Sequence, residues 1–251
     1  MQFEHVVAAV QFEPRAMHVD DNLALARQLT FEAAAKGARI IVLPELCTSG
    51  YDLKGPRDAA ECSQTREGYQ TQAFVPLTQR YNCHVVFGYV ELSEGKLYNS
   101  AAIVGPAGLV GNVQKHNRWG TDFMWASPSE AISPVIVTYE GRLGALICSD
   151  VKNNYRESYA HVNKEHRYYP RGSVDIVALL TNWSGETGFP HPDWVGLAES
   201  VRTNVIVANR VGSEGGLSFR GGSCTVDRSL KVWTNGTNFR DTAVVGGIVR
   251  I

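Results

Sequence analysis

The chain predicts a layered α/β protein with mixed sheets, and three observations carry that prediction. Short apolar runs rich in β-forming residues alternate with stretches of helical periodicity. Glycine and proline turns join some of the runs directly, as hairpins would. Apolar runs such as 40–43 and 176–180 fall far short of the roughly 18 residues that a membrane-spanning helix needs, so they read as buried strands. With 251 residues, 44% of them hydrophobic, the chain can bury one substantial core, and one domain over 1–251 is expected.

The elements follow in order. Residues 6–12 read as a strand, and Asp20 reads as the N-cap of a helix on which Leu23, Ala26, Thr30, Ala33 and Ala34 recur until Gly37 stops it. A second strand, 39–43, comes at once and ends at Pro44-Glu45, completing a β-α-β unit. A helix over 69–81, kinked at Pro76, is expected next. Strands are then read at 84–90, 97–104, 109–114, 134–138 and 143–148, with the turn Gly105-Pro106-Ala107-Gly108 closing a hairpin. Past a polar stretch, 174–180 is a further buried strand. Trp194, Leu197, Ala198 and Val201 mark an amphipathic helix, and 205–208 returns to strand. No linker, low-complexity tract or short-period repeat interrupts the pattern.

Charge and cysteine usage narrow the function classes. The 24 basic and 25 acidic side chains leave a formal net charge of -1, which gives no overall field toward nucleic acid or an anionic membrane. The N-terminus lacks the basic segment and small-residue cleavage site of a secretory signal, so a cytoplasmic protein is expected. Cys47, Cys62, Cys83, Cys148 and Cys224 are odd in number and scattered, with no C-x-x-C pair. They argue against a disulfide framework and against a zinc site. Cys62, Cys83 and Cys224 read as small buried hydrophobes.

Three residues suited to chemistry stand at strand ends, where ligand sites of layered α/β folds gather. Cys148 follows the apolar run 143–147 and precedes Ser149-Asp150, so its thiol is held where a buried strand breaks into a turn. Glu45 closes the second strand among apolar neighbours, a setting that suits a general base. Lys115 ends the strand 109–114, and an ammonium there can stabilise an oxyanion. Taken singly, each also reads as a core cysteine, a turn glutamate or a solvated loop lysine.

Taken together, Leu43-Pro44-Glu45, the strand-end Lys115 and Ile147-Cys148-Ser149-Asp150 resemble the nitrilase superfamily. The resemblance extends through Asn182-Trp183, the run 198–204, the strand 205–208, Asn209-Arg210-Val211-Gly212 and Gly221-Gly222-Ser223, covering nearly the whole chain. It implies a four-layer α-β-β-α sandwich, assembly as a homodimer or larger homo-oligomer, and a Glu45-Lys115-Cys148 triad needing no metal or organic cofactor. By the same resemblance, Lys115 and the Ser149 N–H hold the oxyanion, and Tyr51, Asn182 and Trp183 line the pocket. Cys47, two residues from Glu45, is a further candidate lining residue with no assigned role.

The sequence departs from the family pattern at three places. His116 follows Lys115 one place earlier than in Lys-x-His-Leu. A second active-site glutamate is not clearly aligned, and Asp122 is preferred over Glu130 for that part. The usual Phe-Pro-Glu is replaced by the polar, aromatic stretch 152–172, which reads either as a cover shaping specificity or as a surface excursion. Within it, His161, Glu165 and His166 miss the H-x-x-E-H pattern by one residue, and no metal site is expected. Asp150, in Ile-Cys-x-Asp, resembles amidases more than nitrile-cleaving members. The leading expectation is hydrolysis of a small linear amide or N-carbamoyl compound. A nitrilase and a catalytically silent scaffold remain the alternatives. No G-x-S-x-G, Walker A or G-x-G-x-x-G signature competes.

Overall fold

The structure, a computed structural model, describes residues 4–129, 133–151, 169–184, 189–234 and 241–251. The apolar runs form two six-stranded mixed sheets. The first contains β1 (Glu4–Gln11), β2 (Ile40–Val42), β3 (His84–Ser93), β4 (Lys96–Gly105) and β5 (Gly108–Gln114), with β14 (Ala243–Arg250) on the edge beside β1. The second runs β6 (Ile136–Thr138), β7 (Gly141–Ile147), β8 (Ile176–Thr181), β9 (Asn204–Asn209), β12 (Cys224–Val226) and β13 (Val232–Trp233) from edge to edge. A separate hairpin pairs β10 (Val211–Glu214) with β11 (Leu217–Arg220). Each sheet has a parallel centre, β1-β2-β3 in one and β7-β8-β9 in the other, flanked by antiparallel strands.

Strand periodicity assigns the layers. In β2 and the residue after it, Ile40 and Val42 face the opposite sheet, while Ile41 and Leu43 face outward. Val7, Val86 and Ile103 of the first sheet meet Leu143, Ala145, Ile176, Ala178 and Ile206 of the second in one cluster. The outer face of the first sheet packs on Leu23, Ala26, Leu29 and Ala33 of α1 (Val19–Ala35). Beyond the second sheet, Leu146, Val177, Leu179, Val205 and Val207 pack on Trp194, Leu197, Ala198 and Val201 of the helix Pro192–Val201. The expected α-β-β-α sandwich is therefore present. Both faces of each parallel centre are covered, which is why those strands read as continuous apolar runs rather than alternating ones.

Several elements differ from the expectations. α1 starts at Val19 with His18 at its N-cap, and Asp20 lies inside the first turn with Asp21, where negative charge suits the helix dipole. The helix expected over 69–81 is two, and α2 (Pro56–Cys62), which precedes them, was not read from the sequence. α3 (Tyr69–Gln72) and α4 (Val75–Tyr81) are separate, because Pro76 sits in the first turn of α4, where its missing N–H costs nothing. Pro76 thus opens a helix instead of kinking one. Local pattern does not announce α5 (Asp122–Trp125) or β10 to β14 either, whereas the helix Pro192–Val201, here α6, matches the expected amphipathic helix. Residues 152–168, which include His161, Glu165 and His166, lie outside the described residues, as does Glu130. No helix among the described residues is long and apolar enough to cross a membrane.

Candidate active site

The loops leaving the C-terminal ends of the two parallel centres converge. Glu45 follows β2, Cys148 follows β7 and Asn182 follows β8, while Lys115 comes directly after antiparallel β5. The Glu45 turn lies flat on β3, because a Cβ at Gly88 would sit 2.7 Å from both the Glu45 Cα and the Pro44 carbonyl oxygen. Only glycine permits that approach. Cys148 adopts a positive φ of 47° and starts a single 3-10 turn, Cys148–Asp150. That conformation costs a non-glycine residue on the order of 1–3 kcal/mol. It is held from one side by the pairing of Ile147 with Leu180 and from the other by Asp150, whose Oδ2 accepts from the Ile147 N–H at 3.4 Å.

Charge is concentrated around one ammonium. Lys115 Nζ donates to Glu45 Oε1 and to Asp122 Oδ2, each at 2.6 Å, and all three side chains are buried. The Asn99 amide joins the same two carboxylates, donating to Glu45 Oε1 at 2.9 Å and Asp122 Oδ1 at 3.0 Å. Main-chain groups complete the cage: the Asn182 N–H donates to Glu45 Oε2 at 2.9 Å, and the Trp119 N–H to Asp122 Oδ2 at 3.0 Å. Burial alone would pull the Lys115 pKa down, but Asp122 and Glu45 override it and hold the ammonium charged, well above the usual range.

The Cys148 thiol is pushed up, first by burial and then by the Glu45 charge; Lys115 and a contact with the Asn182 N–H oppose this without reversing it. The resting sulfur therefore keeps its proton near neutrality. A nucleophilic attack from it needs an acceptor at the moment of reaction, rather than a stored thiolate. Glu45 shares the Asn182 N–H with that thiol.

A model of the carbon-nitrogen hydrolase family matches residues 6–248. The chain belongs to that family. It is 28% identical over 229 residues to a nitrilase from Pyrococcus abyssi, covering 90% of this chain and 82% of that protein. It is 27% identical over 259 residues to a protein N-terminal amidase from Schizosaccharomyces pombe, covering 88% and 90%. Among solved structures, an amidase from Nesterenkonia sp. superposes with a TM-score of 0.79 at 21% identity, over 98% of this chain and 90% of that one, a likeness of fold.

In this carbon-nitrogen hydrolase, Cys148, Ser149, Asn182 and Trp183 line one cavity of about 110 Å³ together with Trp119 and Ser184. Tyr51 stands one step away. It lines a neighbouring cavity of about 260 Å³ with Trp119, Thr121 and Met124, and its ring meets Phe219 at 5.6 Å. Burial, followed by the charges of Glu45 and Asp122, pushes its phenol up, so it stays a donor. Cys47 does not line the site: it is buried in the cluster between the first sheet and α1, and burial pushes its thiol up to about 12. Cys62 and Cys83, pushed by burial to about 11, and Cys224, pushed to about 12, match the reading as small hydrophobes.

Two residues at the candidate site, Asn99 and Trp119, have no place in the sequence expectations, and Asn209 enters them only as part of the family resemblance. Asn99 could have been suspected as a polar interruption in the strand 97–104. Trp119 is a loop aromatic, 41% exposed, four residues after Lys115. Asn209 accepts from the Trp183 N–H at 2.8 Å and donates to the Trp183 carbonyl at 3.3 Å, fixing the segment that follows β8. Only the packed strands reveal that placement.

Proposed function

We propose that the chain hydrolyses a small linear amide or N-carbamoyl compound through a thioester on Cys148. The observation that carries this reading is Lys115 held between Glu45 and Asp122 beside the buried Cys148 thiol. Glu45 takes the thiol proton as sulfur attacks the carbonyl carbon, and Lys115 with the Ser149 N–H receives the oxyanion. Glu45 passes that proton to the departing nitrogen as the carbon–nitrogen bond breaks. A water molecule, deprotonated by the same carboxylate, then attacks the thioester; the acid leaves and the sulfur recovers its proton. Asp122 and Asn99 hold Lys115 and Glu45 in place.

Side chains and main-chain N–H groups fill every role in this scheme, which calls for no cofactor. The small cavity, lined among the described residues by Trp119 and Trp183 beside the thiol, favours a compact acyl portion. The reading includes the expected homo-oligomer and cytoplasmic location. It is tested by ammonia release from a panel of short aliphatic amides, N-carbamoyl amines and the matching nitriles. Amides or carbamoyl compounds are expected to be turned over and nitriles not. Faster acid formation from nitriles would replace the reading with a nitrilase, and silence toward the whole panel would favour a scaffold.

A further inference from the structure

Lys115 and Cys148 are carried by different sheets. β5 ends the first sheet and β7 lies in the second, so no strand ladder fixes the lysine loop relative to the thiol turn. The layer between the sheets is apolar, and apolar contact is non-directional. Something else must set the distance from ammonium to sulfur, since an oxyanion donor misplaced by about 1 Å can cost on the order of a hundredfold in rate.

Asp150 is fully buried and directed at this gap. Its Oδ1 accepts from the main-chain N–H of Asn117 at 2.7 Å and of His116 at 3.2 Å, the two residues after Lys115. Its Oδ2 faces the Ile147 N–H at 3.4 Å, immediately before Cys148. Ser149 adds two more ties: its Oγ donates to the Asn117 carbonyl at 2.5 Å, and its carbonyl accepts from the Asn117 amide at 3.2 Å. Among the described residues no arginine, lysine or histidine forms an ion pair with Asp150. Burying this carboxylate costs stability and pushes it up to about 7, with the Asn117 N–H and the Lys115 charge offsetting the burial in part. Such a cost, borne beside the thiol turn by a carboxylate whose hydrogen-bond donors among the described residues are main-chain N–H groups of two loops, marks a group kept for position.

We infer that Asp150 is a positioning residue: it clamps the loop carrying Lys115 to the turn carrying Cys148 across the two sheets, and so sets the geometry of the oxyanion site. This rests on the reading of Lys115 and Cys148 as reacting groups. Asp150→Asn keeps the volume but replaces one acceptor with a donor, so it cannot accept on both sides. Melting temperature, kcat and KM on the best amide of the panel, and the rate of Cys148 alkylation by iodoacetamide at pH 8.5, followed by peptide mass, are measured together.

The expected result is a folded variant with kcat down about a hundredfold, KM within about threefold, and Cys148 alkylated about tenfold more slowly, because the displaced ammonium no longer favours the thiolate. An unchanged kcat, or an unchanged or faster alkylation, overturns the inference. Should Asp150→Asn fail to fold, Asp150→Ser carries the same readouts, and failure of both to fold overturns it in favour of a purely structural role. If wild-type protein turns over no amide, the functional reading falls, while the alkylation arm still decides the clamp.

Discussion

Lys115 shows how a single charge organises its surroundings. Without it, Glu45 and Asp122 face one another in a buried space with the Asn99 amide as their shared donor. Breaking a buried ion pair by removing one partner costs about 3–5 kcal/mol. Lys115→Met is therefore expected to lose stability of that order in urea unfolding, and to lose kcat/KM by at least about 10²-fold, the usual effect of deleting an oxyanion donor. Adding Asp122→Asn removes the surplus negative charge, so stability recovers in part and activity does not. Activity returning with stability would remove Lys115 from the chemistry. Glu45, Lys115 and Cys148 could be picked out of the sequence as candidates because each follows a strand-like run and the three together match a known family. Asp122 was readable only as a preference, since its place is set by α5, a four-residue helix that local pattern does not announce.

Elements carry the site through close backbone approach. The turn after β2 can rest on β3 only because residue 88 is glycine. Gly88→Ala is expected to push the Glu45 turn away, lowering the melting temperature by roughly 2–10 °C for an overpacking cost of about 1–3 kcal/mol, and lowering kcat by about tenfold or more. Gly37→Ala is the control: Gly37 has a positive φ of 92° with open space around it, so it loses stability without touching the site. Equal kcat losses in the two variants would show that Gly88 acts through stability alone. The strands of the parallel centres and α1 could be read because both-face burial leaves unbroken apolar runs and the helical stripe is regular. The break between α3 and α4 could not, since Pro76 suits a helix start as well as a kink and only the packing at Phe74, fully buried, decides.

For the molecule as a whole, alternating strands and helices indicated layers but not how the sheets stack. That β5 and β7 lie near each other across the sheets, and that β14 returns beside β1, depends on contacts far apart in sequence, for which local periodicity has no signal. The sandwich became readable only through the family resemblance. Trp119 and the clamp formed by Asp150 stayed hidden for the same reason, because each takes its meaning from the face-to-face packing of two sheets, and Asn99 because its partners come from loops distant in sequence. We propose that this packing serves to bring one thiol, Cys148, against one carboxylate and one ammonium. It is tested most directly by ammonia release from the best amide substrate by Cys148→Ala at wild-type fold, checked by circular dichroism. Turnover no faster than the uncatalysed control is predicted; activity within about tenfold of wild type would contradict it.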